Sequence, residues 1–508
     1  MQTSVTRFCK LTVLTAAFVA ASSGVANTTT ANRAQFGAAW KSVDCKTFGV
    51  PALAAALSDC GYVTVPERHS KQDGRTIELA VVRTRSIGNN PAPDPLFVEQ
   101  GGPGSTTIGV FVNQALPSYT ELPALLQSRD LIFVEERGTE HSKPFLSCPE
   151  LNAHNIAVAK GERDPKDLGW IEACNKRSIA QGINTSAFNT RENAADIYFV
   201  AQVLGYDEFN YYGVSYGTLL GQYVLAQADE HKPKLRSVLI DGVVRPDIDF
   251  NLAIGHTMSY ALRNLFADCA KDLKCNRAYP DLEKKFLSLV DRLNQQPIPI
   301  TLTIPSSQKT IASKLDGDKF LVSILPYLYK SALSRFLPSR IDAATKGNIR
   351  WVEENLSGGL EDKDAKEMYH TVLCARTSSI RVKPSSLFPP PYPQLIVLAE
   401  EGNEQICKIL QVEQQKPFAY KNTEIPTLVF NGTYDPVTPQ PYGEAVASNL
   451  KNAYVYTFPG VGHGALFSPP DMPAADCATQ IARDFLTNPK QKPDSSCLSK
   501  VKPIFVTD

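Results

Sequence analysis

No sign of charge dominates this chain: its 508 residues carry 52 Lys plus Arg against 52 Asp plus Glu, a formal net charge of zero. The basic excess that nucleic acid or an anionic membrane surface attracts is missing, so nucleic acid is excluded as a partner. Long apolar runs are missing too. The most marked one lies at the N-terminus, from Leu11 to Ala21, behind Arg7 and Lys10 and ahead of the small residues Gly24-Val25-Ala26. It is short for a bilayer span and gives way to a polar stretch, the pattern of a cleaved export signal. Residues 1–26 are therefore read as a signal peptide, the protein as secreted or periplasmic, and no transmembrane segment is expected. Zinc-type spacing is also absent, since no Cys-x-x-Cys occurs among the eleven cysteines. Neither a metal nor a cofactor is expected.

The cysteines that remain after Cys9 leaves with the signal fall into sequence-near couples: Cys45 with Cys60, Cys148 with Cys174, Cys269 with Cys275, Cys374 with Cys407, and Cys477 with Cys497. An even set in an exported chain points to disulfides. Sequence alone does not fix the connectivity; nearest-neighbour pairing is the simplest arrangement.

Short β-rich runs recur at Tyr62–Val65, Thr76–Arg83 (behind an Asp73-Gly74 turn), Leu96–Val98, Leu131–Val134, Tyr211–Tyr212 and Val238–Ile240, and again at Thr427–Phe430 and Ala453–Thr457. Helical spacing separates several of them, at 193–204, 218–228 and 475–485. Strands alternating with helices predict an α/β fold, a mostly parallel sheet flanked by helices. From 246 to 417 helical patterns take over, including Leu282, Phe286, Leu289, Val290 and Leu293 behind a candidate Asp281 N-cap. The expected organisation is a first core part (27–245), a mainly helical lid insertion (246–417) and a second core part (418–508), with the lid over the sheet edge where ligands bind. There are no internal repeats.

The chemistry concentrates in four places. Gly213-Val214-Ser215-Tyr216-Gly217 follows a strand and opens a helix, the context of a nucleophile elbow that exposes Ser215. Histidine is scarce, and of the seven only His463, in the glycine-rich loop Pro459–Gly464, lies near the C-terminus, where the chain order of serine, acid and histidine would place the base. His141 and His370 are secondary candidates for the pocket wall. Asp435, in Asn431–Val437 after a strand, is the favoured acid to orient the imidazole; Asp241 at the end of the strand after the elbow is the alternative. Gln100-Gly101-Gly102-Pro103-Gly104 follows another strand, where an oxyanion loop belongs, so the N–H groups of Gly102 and Tyr216 are the expected oxyanion donors.

These motifs, with Arg137-Gly138-Thr139, the run Gly432–Pro439, an early Cys60-Gly61 and Val65-Pro66, and the Gly462-His463-Gly464 tail followed by Cys477 and Cys497, resemble the tripeptidyl aminopeptidase and proline iminopeptidase branch of the α/β-hydrolases. The resemblance implies a serine hydrolase that releases single residues or short peptides from free N-termini through an acyl-enzyme, without a metal. This chain departs from the pattern in Glu135-Glu136 before Arg137 and in Ala375-Arg376 after Cys374. Glu135, Glu136 and Glu140 are the candidate contacts for a substrate ammonium. A carboxylesterase or lipase using the same triad is the alternative, and a non-catalytic binding protein of hydrolase shape is a third reading. The partner is a peptide or small ester; the oligomeric state is left open, a monomer included.

Overall fold

The computed structural model describes residues 37–71, 74–118, 121–399 and 403–507, so the proposed signal segment lies outside the described residues. Among the described residues nine strands form one sheet: β1 (Trp40–Ser42), β2 (Ser58–Pro66), β3 (Thr76–Thr84), β4 (Leu96–Glu99), β5 (Leu131–Val134), β6 (Glu208–Val214), β7 (Lys234–Asp241), and, after the long insertion with its separate hairpin of β8 (Ile298–Thr303) and β9 (Thr310–Leu315), β10 (Thr427–Gly432) and β11 (Ala453–Phe458). Their order across the sheet is β1-β2-β3-β5-β4-β6-β7-β10-β11. Pairing is antiparallel from β1 to β5 through β2 and β3, and parallel from β5 onward through β4, β6, β7 and β10 to β11. This is the mostly parallel sheet that the alternating pattern predicts, in the α/β-hydrolase fold that the resemblance of the motifs implies.

The central strands are apolar on both faces because helices cover both sides. Leu96, Phe97 and Val98 of β4 and Leu131, Ile132 and Phe133 of β5 are fully buried, each worth roughly 1.5–3 kcal/mol of transfer free energy. The Thr190–Val203 and Tyr216–Ala226 helices pack on one face and the Pro473–Thr487 helix on the other, through Ala478, Ile481, Ala482 and Phe485. Among the described residues five disulfides form, joining Cys45–Cys60, Cys148–Cys174, Cys269–Cys275, Cys374–Cys407 and Cys477–Cys497.

Between β7 and β10 the chain is mainly helical, with its own core around Phe266, Phe286, Phe320 and Trp351. The Leu282–Gln295 helix buries Leu282, Phe286, Leu289, Val290 and Leu293, as their spacing predicts. Asp281 differs from expectation: it precedes the helix in a left-handed conformation (φ 54°) and its side chain makes no capping bond. The antiparallel hairpin of β8 (Ile298–Thr303) and β9 (Thr310–Leu315) is an element that the helical patterning of this stretch conceals.

Candidate active site

Ser215 sits at the turn from β6 into the Tyr216–Ala226 helix with φ 58° and ψ −127°, a conformation a side chain adopts only under constraint. Several contacts impose it. The Ser215 N–H donates to the Asp241 carbonyl at 3.1 Å, and the Thr218 hydroxyl donates to the Ser215 carbonyl at 2.6 Å. The flanking glycines are dictated by backbone approach: a Cβ on Gly213 would lie 2.1 Å from the Gly217 carbonyl oxygen, and one on Gly217 would lie 2.6 Å from that of Gln100. The elbow is packed too closely for any larger residue.

Asp435, after β10, is fully buried, and its Oδ1 accepts the N–H groups of Val437 and Thr438 at 3.0 and 2.8 Å. Its Oδ2 accepts the Thr438 hydroxyl at 2.6 Å and faces His463 Nδ1 at 2.8 Å. Burial alone would raise this carboxyl, yet the adjacent imidazole and the bonds from His463 and Thr438 hold it below the ordinary range, so it is an anion. An anion there favours a proton on Nδ1, which turns Nε2 toward the role of acceptor. Thr438 Oγ1 also lies 2.9 Å from Nδ1 and thereby joins acid and base.

The histidine loop is held from two sides. Asp241 makes no hydrogen bond to the imidazole; its Oδ1 and Oδ2 accept the N–H groups of Ala465 and Leu466 at 2.7 and 2.8 Å, and Tyr212 donates to Oδ2 at 3.3 Å. Both oxygens of the alternative acid are thus engaged in tying the His463 loop to the strand beside Ser215. From the insertion, the Tyr329 carbonyl accepts the His463 N–H at 2.8 Å and the Ser331 hydroxyl accepts that of Gly462 at 3.0 Å. The Tyr329 ring lies over the imidazole with centroids 4.2 Å apart.

Ser215 opens into a cavity of about 250 Å³ lined also by Gly102, Ser105, Tyr216, Ile248, Tyr329, Asp364, Thr438 and Tyr442. Both expected oxyanion residues therefore border the nucleophile's cavity. Gly101 lies closer still: a Cβ there would meet Ser215 Cβ at 2.4 Å and the Tyr216 nitrogen at 3.0 Å. Ser215 and His463 do not hydrogen-bond in this state. His463 Nε2 is buried with no partner, and Tyr329 lines the cavity beside Ser215. An unpaired buried acceptor costs about 1–3 kcal/mol, which pairing with Ser215 would recover. A larger, shallower depression of about 410 Å³ around Asp476–Thr487 shares none of these residues.

The three glutamates expected at a substrate ammonium lie elsewhere. Glu135 and Glu136 are buried behind β5 and do not line the cavity; Glu140 is exposed and does not line it either. Glu135 Oε2 accepts the Ile108 N–H at 2.9 Å and the Thr106 hydroxyl at 3.2 Å, while Glu136 Oε2 accepts from the Asn193 amide at 2.5 Å. Burial raises both carboxyls, and Glu135 is pushed up to about 7. Because the folded state holds this proton more tightly than the unfolded chain, stability falls as pH rises from about 4.5 to about 7. Glu135→Gln is expected to flatten that fall, a difference of at most a few kcal/mol, in Tm measured against pH. An equally steep fall in the variant would contradict this role.

His141 and His370 likewise stay off the cavity wall. His370 is buried against Trp170 and Tyr369, and burial pushes it down to about 3, keeping it neutral. Arg137 is buried and pairs bidentately with Asp196 at 2.8 and 2.7 Å, a structural anchor. Three residues of the insertion carry roles that no local motif announces. Tyr329 packs its ring on His463 and lines the cavity into which Ser215 opens. Asp364 brings a carboxylate to the cavity and accepts the Ser105 hydroxyl at 2.8 Å. Arg376, buried, donates to the carbonyls of Arg245, Pro246 and Ile248 at 3.2, 3.0 and 3.0 Å and so shapes the cavity wall. The one grouping of metal-type ligands among the described residues, Cys148 with Glu150 and Cys174, has its two sulfurs joined to each other.

Residues 397–497, which hold Asp435 and His463, match the family described as TAP-like protein. Serine protease Hip1 of Mycobacterium tuberculosis is 25% identical over 436 residues, covering 80% of this chain and 82% of the relative. Tripeptidyl aminopeptidase of Streptomyces coelicolor is 30% identical over 201 residues, 37% of this chain and 36% of the relative. Carboxylesterase B of M. tuberculosis is 24% identical over 468 residues, 84% of each chain. Among solved structures, proline iminopeptidase of Mycobacterium smegmatis matches 84% of this chain and 98% of its own at 14% identity and a TM-score of 0.36, too loose to add to the topology itself. The resemblance drawn from the motifs is borne out.

Proposed function

We propose that this chain, a serine hydrolase related to the TAP-like α/β-hydrolases, is an exported aminopeptidase that releases single residues or short peptides from free N-termini. The observation that carries the reading is Asp364. It places a carboxylate in the same small cavity as Ser215, alongside the apolar side chains of Val244, Ile248 and Tyr442. An acyl pocket for a neutral ester needs no such charge, whereas a substrate ammonium requires one.

In this reading Ser215 Oγ attacks the scissile carbonyl and its proton passes to His463 Nε2. Asp435 holds the imidazole and stabilises the imidazolium, and the N–H groups of Gly102 and Tyr216 stabilise the oxyanion. The leaving amine takes the proton from His463, and water then hydrolyses the acyl-enzyme. The described residues within 27–245 and 418–508 supply the core, and those within 246–417 act as the lid, contributing Tyr329 and Asp364. The five disulfides support an oxidising compartment, secreted or periplasmic.

The test compares peptide anilides of one to three residues, with free and acetylated N-termini, against p-nitrophenyl esters. Free-amine anilides are expected to be preferred. Asp364→Asn is expected to lower their kcat/KM by about 10–100-fold, the loss of one charged hydrogen bond, and to leave ester cleavage within about threefold. Cleavage of esters alone, or indifference to acetylation, would favour the second reading, a carboxylesterase. That reading draws its support from the relative named Carboxylesterase B, which matches 84% of this chain.

A further inference from the structure

We infer that Ser105 is a specificity-determining positioning residue, which fixes the Asp364 carboxylate on the oxyanion loop. Recognition of a free N-terminus and stabilisation of the oxyanion then share one support. The inference rests on the reading of Asp364 as the ammonium partner and deepens it. Ser105 and Asp364 border the same cavity as Ser215, and the Ser105 hydroxyl donates to Asp364 Oδ2 at 2.8 Å. One residue further, the Ala365 N–H donates to the Gly104 carbonyl at 2.9 Å, and a Cβ on Gly104 would meet the Ala365 carbonyl oxygen at 2.7 Å. Residues 364–365 of the insertion are thus seated on residues 104–105 by two adjacent hydrogen bonds and close backbone packing.

Ser105 reaches the chemistry through its own turn. Its N–H donates to the Gly101 carbonyl at 3.3 Å, and a Cβ on Gly102 would meet the Ser105 nitrogen and hydroxyl oxygen at 2.9 and 3.3 Å. At the other end of the turn, a Cβ on Gly101 would lie 2.9 Å from Ser215 Oγ and 3.0 Å from the Tyr216 nitrogen. Contacts therefore run without a gap from the ammonium-binding carboxylate to the nucleophile and the oxyanion donors. The hydroxyl also acts on charge. Burial, Asp362 and Glu140 raise the Asp364 carboxyl, and the Ser105 bond and the Lys366 ammonium oppose that rise. Lys366 is itself paired with Asp362 at 2.8 Å, and Tyr329 is the other titratable side chain on the cavity wall near Asp364. Only the anion pairs with an ammonium, and a donated hydroxyl proton stabilises that anion.

The test measures kcat/KM of the full chain on a free-amine anilide and on p-nitrophenyl acetate, which carries no ammonium, as a function of pH. His463 serves both substrates, so its titration cancels from the ratio of the two values. Ser105→Ala is expected to lower that ratio about tenfold near neutral pH, the loss of one hydrogen bond to a charged group. The fall of the ratio with acidification, as Asp364 gains a proton, is expected at higher pH than in wild type. In the Asp364→Asn background Ser105→Ala is expected to change the ratio no further, because the two act as a unit. An equal loss on both substrates, the mark of general damage to the loop, would overturn the inference. So would an unchanged ratio in Ser105→Ala where Asp364→Asn lowers it. A ratio unmoved by Asp364→Asn itself would overturn the underlying reading of Asp364 as well.

Discussion

Ser215→Ala is expected to lower kcat on the preferred anilide by about 10⁵–10⁶-fold, the scale seen when a triad serine is removed and only binding and oxyanion stabilisation remain. The loss should be chemical and not structural. The Ser215 hydroxyl makes no contact that holds the elbow; the backbone bonds to Asp241 and Thr218 and the packing of Gly213 and Gly217 do that. Tm should therefore stay close to that of wild type, and relief of a side chain at φ 58° is at most slight because alanine keeps its Cβ. Turnover within a hundredfold of wild type would remove Ser215 from the chemistry.

Asp435→Asn is expected to lower kcat by about 10⁴-fold with little change in KM. The amide keeps the shape but removes the charge that favours imidazolium, and an NH₂ group facing Nδ1 would reverse the tautomer and leave the proton on Nε2. Thr438 cannot substitute for the carboxylate, because its one hydroxyl proton is given to Oδ2 at 2.6 Å. The measurement is kcat and KM on the same anilide. A loss below about tenfold would shift the acid's role elsewhere. Asp241 is poorly placed to take it, since its two oxygens hold the Ala465 and Leu466 N–H groups.

The central strands were legible because burial on both faces leaves uninterrupted apolar runs such as Leu131–Val134, and the elbow because its glycines answer a backbone constraint. The acid and base loops were legible for the same reason: each follows a strand and supplies the one suitable side chain near it. What lay hidden depends on contacts across the insertion. Asp364 sits in Glu361-Asp362-Lys363-Asp364, which by composition reads as a solvated charge run. It reaches the cavity only because the Ala365 N–H donates to the Gly104 carbonyl at 2.9 Å and Ser105 donates to its carboxylate. Tyr329 ends a helix whose apolar residues all look alike until His463 is packed against it. Glu135 and Glu136 mislead in the opposite direction: charge suggested exposure to substrate, whereas β5 carries the chain directly into the interior and leaves them buried. The β8–β9 hairpin went unread because its exposed face, alternating with Ile300 and Leu302, is surrounded by strongly helical sequence.

The account turns on an activated hydroxyl at Ser215 with His463 as its base. Peptide mapping of the folded, full-length chain after exhaustive reaction with a fluorophosphonate tests this most directly. The predicted result is one phosphonyl group per chain, on the peptide that carries Ser215, with labelling strongly suppressed in His463→Ala. Label on any other residue, or undiminished label at Ser215 when the imidazole is gone, would contradict it.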